Sequence, residues 1–161
     1  MNEMVVTVRG IAIEKKSRLP ILFLGERESG RTLTIPIGPA EANSIILHME
    51  GILPPRPLTH DLLAELFQRH GFRLRSLELY GYCGDEILAR LRYSHGIRMH
   101  TMEVRPSDGI ALAVRLLAPI LVNEEVASHP AGAQAFPWAD GFETSDFLYL
   151  EPAAPNLATA R

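Results

Sequence analysis

Two short runs of polar residues hold most of the chemistry available to this chain: Arg56, Thr59, His60 and Asp61, and then Glu103, Arg105, Ser107 and Asp108. Residues of these types suit phosphodiester hydrolysis. That reaction needs an activated water, neutralisation of the phosphoryl oxygens and, in many enzymes, a divalent metal held by carboxylates. His60 can act as general acid or base near neutral pH. Arg56 and Arg105 can clamp phosphate, one from a proline-stiffened segment and the other from the residue before a helix. Glu103, Asp108 and Asp61 offer oxygens to Mg2+ or Mn2+, with water completing the shell. Thr59 and Ser107 stand beside them as substrate-binding candidates. The plainer alternative for the same residues is structural. His60 and Asp61 also suit the first turn of a capped helix, Asp108 suits a helix dipole, and the arginines and carboxylates can pair to hold the fold. No metal motif with tight ligand spacing is present.

The element that must position the second run is the stretch Glu103 to Asn123, EVRPSDGIALAVRLLAPILVN. Pro106 presets the first helical turn, Ser107 and Asp108 suit its electropositive end, and Arg115 is the one charge between Ile110 and Ala118. A helix with no full polar face is expected to be covered on nearly all sides, and its polar, Arg-bearing N-terminus makes an anion site. The first run sits on a second helix, His60 to His70, capped by Thr59, with Leu62, Leu63, Leu66 and Phe67 apolar and Gly71 as its stop. Pro54, Pro55 and Pro57 stiffen the approach and fix the direction of Arg56.

The rest of the chain reads as strands and one more helix. Strands are expected over Met4–Ile13, Leu19–Leu24, Arg31–Ile37, Phe72–Tyr80, Glu86–Tyr93, Ile97–Val104 and Pro119–Asn123. The second and third form a hairpin around Glu28-Ser29-Gly30. A helix starting at Pro39 carries the stripe Ala42, Ile45, Ile46 and Met49 and ends at Gly51. Ile21–Leu47 and Ile87–Val114 overlay with one added residue, placing Pro39 on Pro106 and Glu41 on Asp108, so a β-β-β-α unit is used twice. An acid in both copies points to a shared helix-dipole role. Arg105 and Ser107, present in one copy only, are the better functional candidates.

Composition narrows the classes. A chain of 161 residues makes one domain with a real core. The net charge of −3 excludes a surface coated for indiscriminate nucleic-acid binding, so any such site is a local patch. Cys83, the single cysteine, rules out an internal disulfide and fits a reducing, cytoplasmic setting. Neither a membrane span nor a signal peptide is indicated. Residues 1–127 read as the domain and 128–161 as an aromatic extension holding Phe136, Trp138, Phe142, Phe147 and Tyr149. With no helical period, the extension is expected to dock on its own domain or a second subunit, since nearby acids would repel phosphate from a stacking platform.

Three blocks in order, IPIG-EA from Ile35, PRPLTHDL from Pro55 and RPSDGIALAVR from Arg105, resemble the bifunctional nuclease domain family over roughly residues 4 to 127. Glu103 stands where the family usually has Asp, and Gly109 where it usually has Ala. The resemblance implies a compact α+β domain, often dimeric, and an association with cleavage of DNA and RNA. The chain is thus expected to be an α+β homodimer with a mixed sheet and three helices, one largely buried, acting as a metal-assisted nuclease. His60, Asp61, Arg105 and Asp108 would be catalytic, Arg56, Thr59 and Ser107 would bind substrate, and Glu103 with Asp108 would hold metal. The alternative is a non-catalytic regulatory module that binds an anion or a protein through the same residues, or an assembly platform whose extension binds the partner.

Overall fold

The computed structural model describes residues 3–26, 31–129, 133–134 and 144–151. Its elements are β1 (Glu3–Ile13), β2 (Pro20–Glu26), β3 (Thr32–Pro36), α1 (Pro39–Met49), α2 (Thr59–Arg69), β4 (Phe72–Cys83), β5 (Glu86–His95), β6 (Arg98–Val104), α3 (Pro106–Leu116), β7 (Ile120–Asn123), α4 (Glu124–Ser128), β8 (Ala133–Gln134) and β9 (Phe147–Leu150). One mixed sheet runs β6-β5-β4-β7-β1-β2-β3-β8, with β9 also pairing β1. β7 is parallel to β4 and antiparallel to β1, so β1 and β4 run in opposite directions. The halves β1-β2-β3 and β4-β5-β6 therefore lie on either side of β7, with their corresponding strands running in opposite directions. Each third strand is followed by a helix with proline in its first turn, as the repeat in the sequence requires.

α1, α2 and α3 pack on one face of the sheet. α3 is the centre of that layer, with Ser107 and every residue from Gly109 to Ala113 buried. It lies close against the sheet at Gly109, where an added Cβ would stand 2.5 Å from Leu77 Cδ1 and 3.2 Å from Val104 Cγ2 and would make those side chains shift. Leu77, Leu79, Ala89 and Leu91 from the sheet meet Ile110 to Ala113 in a single core that also takes in Ile11, Leu22, Leu24, Ile45, Phe67 and Val122.

Three local expectations need correction. Thr59 is not the cap of α2. Leu58 occupies that position, Thr59 is the first helical residue, and the Leu58 N–H is satisfied by Asp61 Oδ2 at 2.9 Å. The α2 stripe is also narrower than its leucines suggest. Ala64 and Phe67 face the core, whereas Leu62, Leu63 and Leu66 are 54%, 37% and 44% exposed. The helix sits with Phe67 against Phe72 and Tyr93, which turns the leucines outward. A fourth, short helix, α4, follows β7 without a break, capped by Asn123 Oδ1, which accepts from Glu125 N–H at 3.2 Å. Of the aromatic extension, Phe147 meets Phe23, and Tyr149 is buried on β1. Phe136, Trp138 and Phe142, like the Glu28-Ser29-Gly30 turn, lie outside the described residues.

α3 ends at Leu117, whose backbone is left-handed at φ 53 while its side chain is 91% exposed. An L-residue in that region is strained and glycine is not. Leu117→Gly therefore loses no buried surface and is expected to stabilise the fold by about 1 kcal/mol, roughly 2–4 °C in Tm. A thermal melt showing an unchanged or lower Tm would contradict this account of the helix end.

Candidate functional site

The site is built where three helix beginnings meet. α1 and α3 run side by side in the same direction, tied at one end by Arg105 to Glu41 and at the other by His48 Nε2 to the Val114 carbonyl at 3.2 Å. α2 enters across them and inserts His60 between the two. The position follows from Phe67, which anchors α2 in the core, and from the rigid Pro54–Pro57 approach. His60 then falls two residues into the helix, facing inward with its side chain 12% exposed.

A continuous polar chain results. Arg105 donates through Nε to Asp108 Oδ2 at 2.7 Å and through Nη2 to Asp108 Oδ1 at 3.0 Å, and Nη2 also reaches Glu41 Oε1 at 2.8 Å. Asp108 Oδ1 lies 3.1 Å from His60 Nε2, and His60 Nδ1 lies 2.9 Å from Ser44 Oγ. Arg115 donates to Ser44 Oγ and to the Ser44 carbonyl, both at 2.9 Å, to the Ala111 carbonyl at 2.8 Å and to Asp61 Oδ1 at 2.7 Å. A carboxylate only accepts, so in the neutral ring Nε2 carries the proton toward Asp108. Ser44, already accepting from Arg115, then turns its own hydrogen to Nδ1.

The sequence Ser44, His60, Asp108 has the order of a nucleophile, base and orienting acid, but the chemistry differs. Ser44 is only 4% exposed, and its oxygen is taken up by Arg115. It orients His60 and offers no nucleophile to solvent. The two arginines also differ in kind. The Arg115 side chain is 5% exposed, so its pair with Asp61 is a buried structural one whose loss would strand a charge. The Arg105 side chain is 68% exposed, and its pairs are screened by water and open readily. Among the described residues, its Nη1 has no protein partner.

Electrostatics follow the same division. Burial pushes the Asp108 carboxyl up, but hydrogen bonds from Arg105 and then His60 outweigh it and hold the group below its ordinary value. Burial likewise pushes Asp61 up, and Arg115 with the Leu58 N–H brings it below the ordinary value. Both acids are ionised near neutrality and are poor bases, which leaves His60 as the proton-transfer group of this cluster.

The structure thus brings His60, Asp61, Arg105 and Asp108 into one network. Other candidates stand apart from it. Ser107 is buried in the first turn of α3. Arg56 and Thr59 are exposed on the approach to α2 and its first residue. Glu103 is separated from Asp108. Val104 points to the helices against Gly109, so Glu103, its neighbour on β6, points to the opposite face, where Tyr80 Oη donates to it at 2.8 Å. Glu103 and Asp108, expected to share a metal, are thus held on opposite sides of the sheet, and no group of three His, Cys, Asp or Glu able to hold a metal occurs among the described residues. Ser44 and Arg115 were not among the candidates read from the sequence, and Glu41 was read only as a dipole partner. Arg115 had a signal, as the one charge in an apolar run. Ser44 had none.

Below this network lies a cleft of about 380 Å³ between the end of α1, the proline-rich segment and α2, lined by Leu47, Ile52, Leu53 and Pro57 with Asp61 and Arg115 in its wall. No helix among the described residues is long and apolar enough to cross a membrane.

Residues 22–133, which span the whole network, match the sequence profile of the family described as "Bifunctional nuclease domain". A protein of Mycobacterium tuberculosis described as uncharacterized is 38% identical over 126 residues, covering 75% of this chain and 72% of that protein. "Bifunctional nuclease 1" of Oryza sativa subsp. japonica is 29% identical over 105 residues, covering 62% of this chain and 32% of the plant protein.

The two lowered carboxyls give the fold an acid dependence. Their contribution is fully present above the ordinary value of 3.8 and is lost as the pH falls through their lower folded values. Asp61→Asn leaves Arg115 without its charge partner and is expected to cost on the order of 3 kcal/mol near neutrality. In urea unfolding the gap between wild type and variant should narrow in strongly acidic solution. A gap independent of pH would mean that Asp61 is not paired as described.

Proposed function

The chain belongs to the bifunctional nuclease domain family, and from that premise we propose that it hydrolyses phosphodiester bonds of nucleic acid at the mouth formed by Arg105, Asp108 and His60. The observation that supports this most directly is the seating of His60 between Ser44 and Asp108, next to an arginine that is two-thirds exposed. A phosphate arriving at Arg105 meets the free Nη1 first and competes with Asp108 for the rest of the guanidinium. Asp108, drawn aside as that weak pair opens, releases His60 Nε2. With the ring proton moved to Nδ1 and Ser44 Oγ accepting it, Nε2 takes a proton from the attacking water, and the imidazolium so formed returns it to the leaving oxygen. Arg56, exposed on the stiff approach to α2, adds a second phosphate contact. Asp61, Ser44 and Arg115 position His60 and do not touch substrate. These roles use protein groups alone, and no step is routed through a divalent ion.

A second reading is favoured by one observation: the network is already closed on itself, with both His60 nitrogens and both Asp108 oxygens engaged. In that reading the cluster is a knot joining three helices, and the domain binds an anion or a protein without cleaving anything. The partnership in solution is read as a homodimer in a cytoplasmic setting under either reading.

Cleavage of RNA, single-stranded DNA and duplex DNA by highly purified protein, in Mg2+, Mn2+ and EDTA, distinguishes the two and reads the contribution of a divalent ion. His60→Ala and Arg105→Ala are each expected to lower kcat by about 100-fold or more while the circular dichroism spectrum stays that of wild type. Absence of cleavage by the wild type, or undiminished cleavage by both variants, would hand the case to the closed-knot reading.

A further inference from the structure

The face of the sheet turned away from α1–α3 carries a second charged assembly that the hydrolytic site does not use. Glu78 pairs across to Arg90 on β5, and Arg90 pairs to Glu103 on β6, so the three stand in one row on that face. The next row is Ser76, Arg92 and Thr101, and Arg73 lies opposite Ser94 beyond it. The Glu78 side chain is 4% exposed, yet it is an ionisable group on a part of the sheet face that none of the described helices covers. It is shielded by the arginines themselves. Arg90 donates through Nε to Glu78 Oε2 at 2.8 Å and Arg92 through Nη1 to Glu78 Oε1 at 3.3 Å, while the two side chains remain 38% and 51% exposed. Arg75, at a bulge in β4, is fixed by Nε to Ser94 Oγ at 3.0 Å, and the Arg90 guanidinium lies 4.7 Å over the Tyr80 ring. Arg73 and Arg75 are exposed.

We propose that this outer face of β4-β5-β6 is a binding surface for the backbone of single-stranded nucleic acid, held by Arg73, Arg75, Arg90 and Arg92 with Tyr80 as a stacking platform. The buried carboxylate gives the arrangement its purpose. It grips one edge of two guanidiniums and leaves their other N–H groups aimed outward, so the arginines are ordered before any ligand arrives. Arg90 and Arg92, two residues apart on one strand, stand roughly 7 Å apart, a repeat suited to successive phosphates of an extended strand. Of the acids in the central rows, Glu78 is buried under its arginines and Glu103 is tied to Tyr80, while Glu86 and Glu3 stand at the margins, so four arginines face two carboxylates that already have partners. In a chain of net charge −3 such a concentration makes a local patch suited to a polyanion. A flat face with an aromatic ring and planar guanidiniums fits unstacked bases better than an acidic helix, which has nothing to stack. The proposal needs binding only and stands whether or not the chain hydrolyses what it binds.

Binding of fluorescein-labelled oligo(U) and oligo(dT) in EDTA, read by anisotropy, tests it separately from cleavage. Arg73→Glu/Arg75→Glu removes no partner of Glu78 but loses the Arg75 bond to Ser94, and is expected to lower Tm by no more than roughly 2–4 °C, to weaken binding about ten-fold or more, and to lower the salt slope by about 1.4, the share of two phosphate contacts. Lys15→Glu/Lys16→Glu makes the same change in net charge at the β1–β2 turn and is expected to leave affinity within about two-fold. Equal weakening by both pairs, no loss in the arginine pair, or no binding of either oligonucleotide by the wild type overturns the proposal. Capture of oligoglutamate with neither oligonucleotide bound would instead assign the face to an acidic protein and overturn it as well.

Discussion

A guanidinium placed inside a helical layer must find its partners inside that layer, and Arg115 sets this condition for the helical half of the molecule. Desolvating its charge costs several kcal/mol unless the hydrogen bonds are made. The partners come from three places: the Ala111 carbonyl one turn back, Ser44 on α1 and Asp61 on α2. Satisfying one residue therefore fixes where α1 and α2 sit against α3. Once Ser44 and Asp61 are placed, His60 has nowhere to lie except between Ser44 and Asp108. The geometry of the exposed mouth is thus decided by an interior ion pair that substrate would never touch.

The parts of this arrangement that were legible in the sequence are those governed by local chain chemistry. Pro39 and Pro106 marked two helix starts, and their equivalence revealed the repeat that the sheet order displays. The unbroken apolar run after Ile110 announced a covered helix. What was not legible depended on how elements meet. Leu62, Leu63 and Leu66 make a good apolar stripe on paper, but the rotation of α2 is set by Phe67 packing on Phe72 and Tyr93. Glu103 and Asp108 are close in sequence, yet the change from strand to helix between them sends their side chains to opposite sides of the sheet. Ser44 is an ordinary helical serine until two other helices are laid across it.

The two faces of the sheet solve the same electrostatic problem with opposite results. On the helical side an arginine is buried and its acid partly exposed; on the outer side the acid Glu78 is buried and its arginines reach the solvent. The first arrangement gives every guanidinium nitrogen of its charge an acceptor inside the layer and stiffens the fold. The second leaves donors unspent at the surface. Membership of a nuclease family is compatible with either face meeting nucleic acid.

The long first strand is bordered on one edge by β2 and on the other by two strands laid end to end, β7 along its beginning and β9 along its end. Gly10 pairs with Leu150, so that edge is sealed only by strands that come much later in the sequence than β1 itself. During synthesis at the ribosome, β1 and its hairpin partner emerge before β7 and β9 and wait with one row of amides unpaired until those two strands have been made. Such a topology makes the nascent chain slow to mature and dependent on shielding of that row in the interval, a requirement imposed by strand order alone.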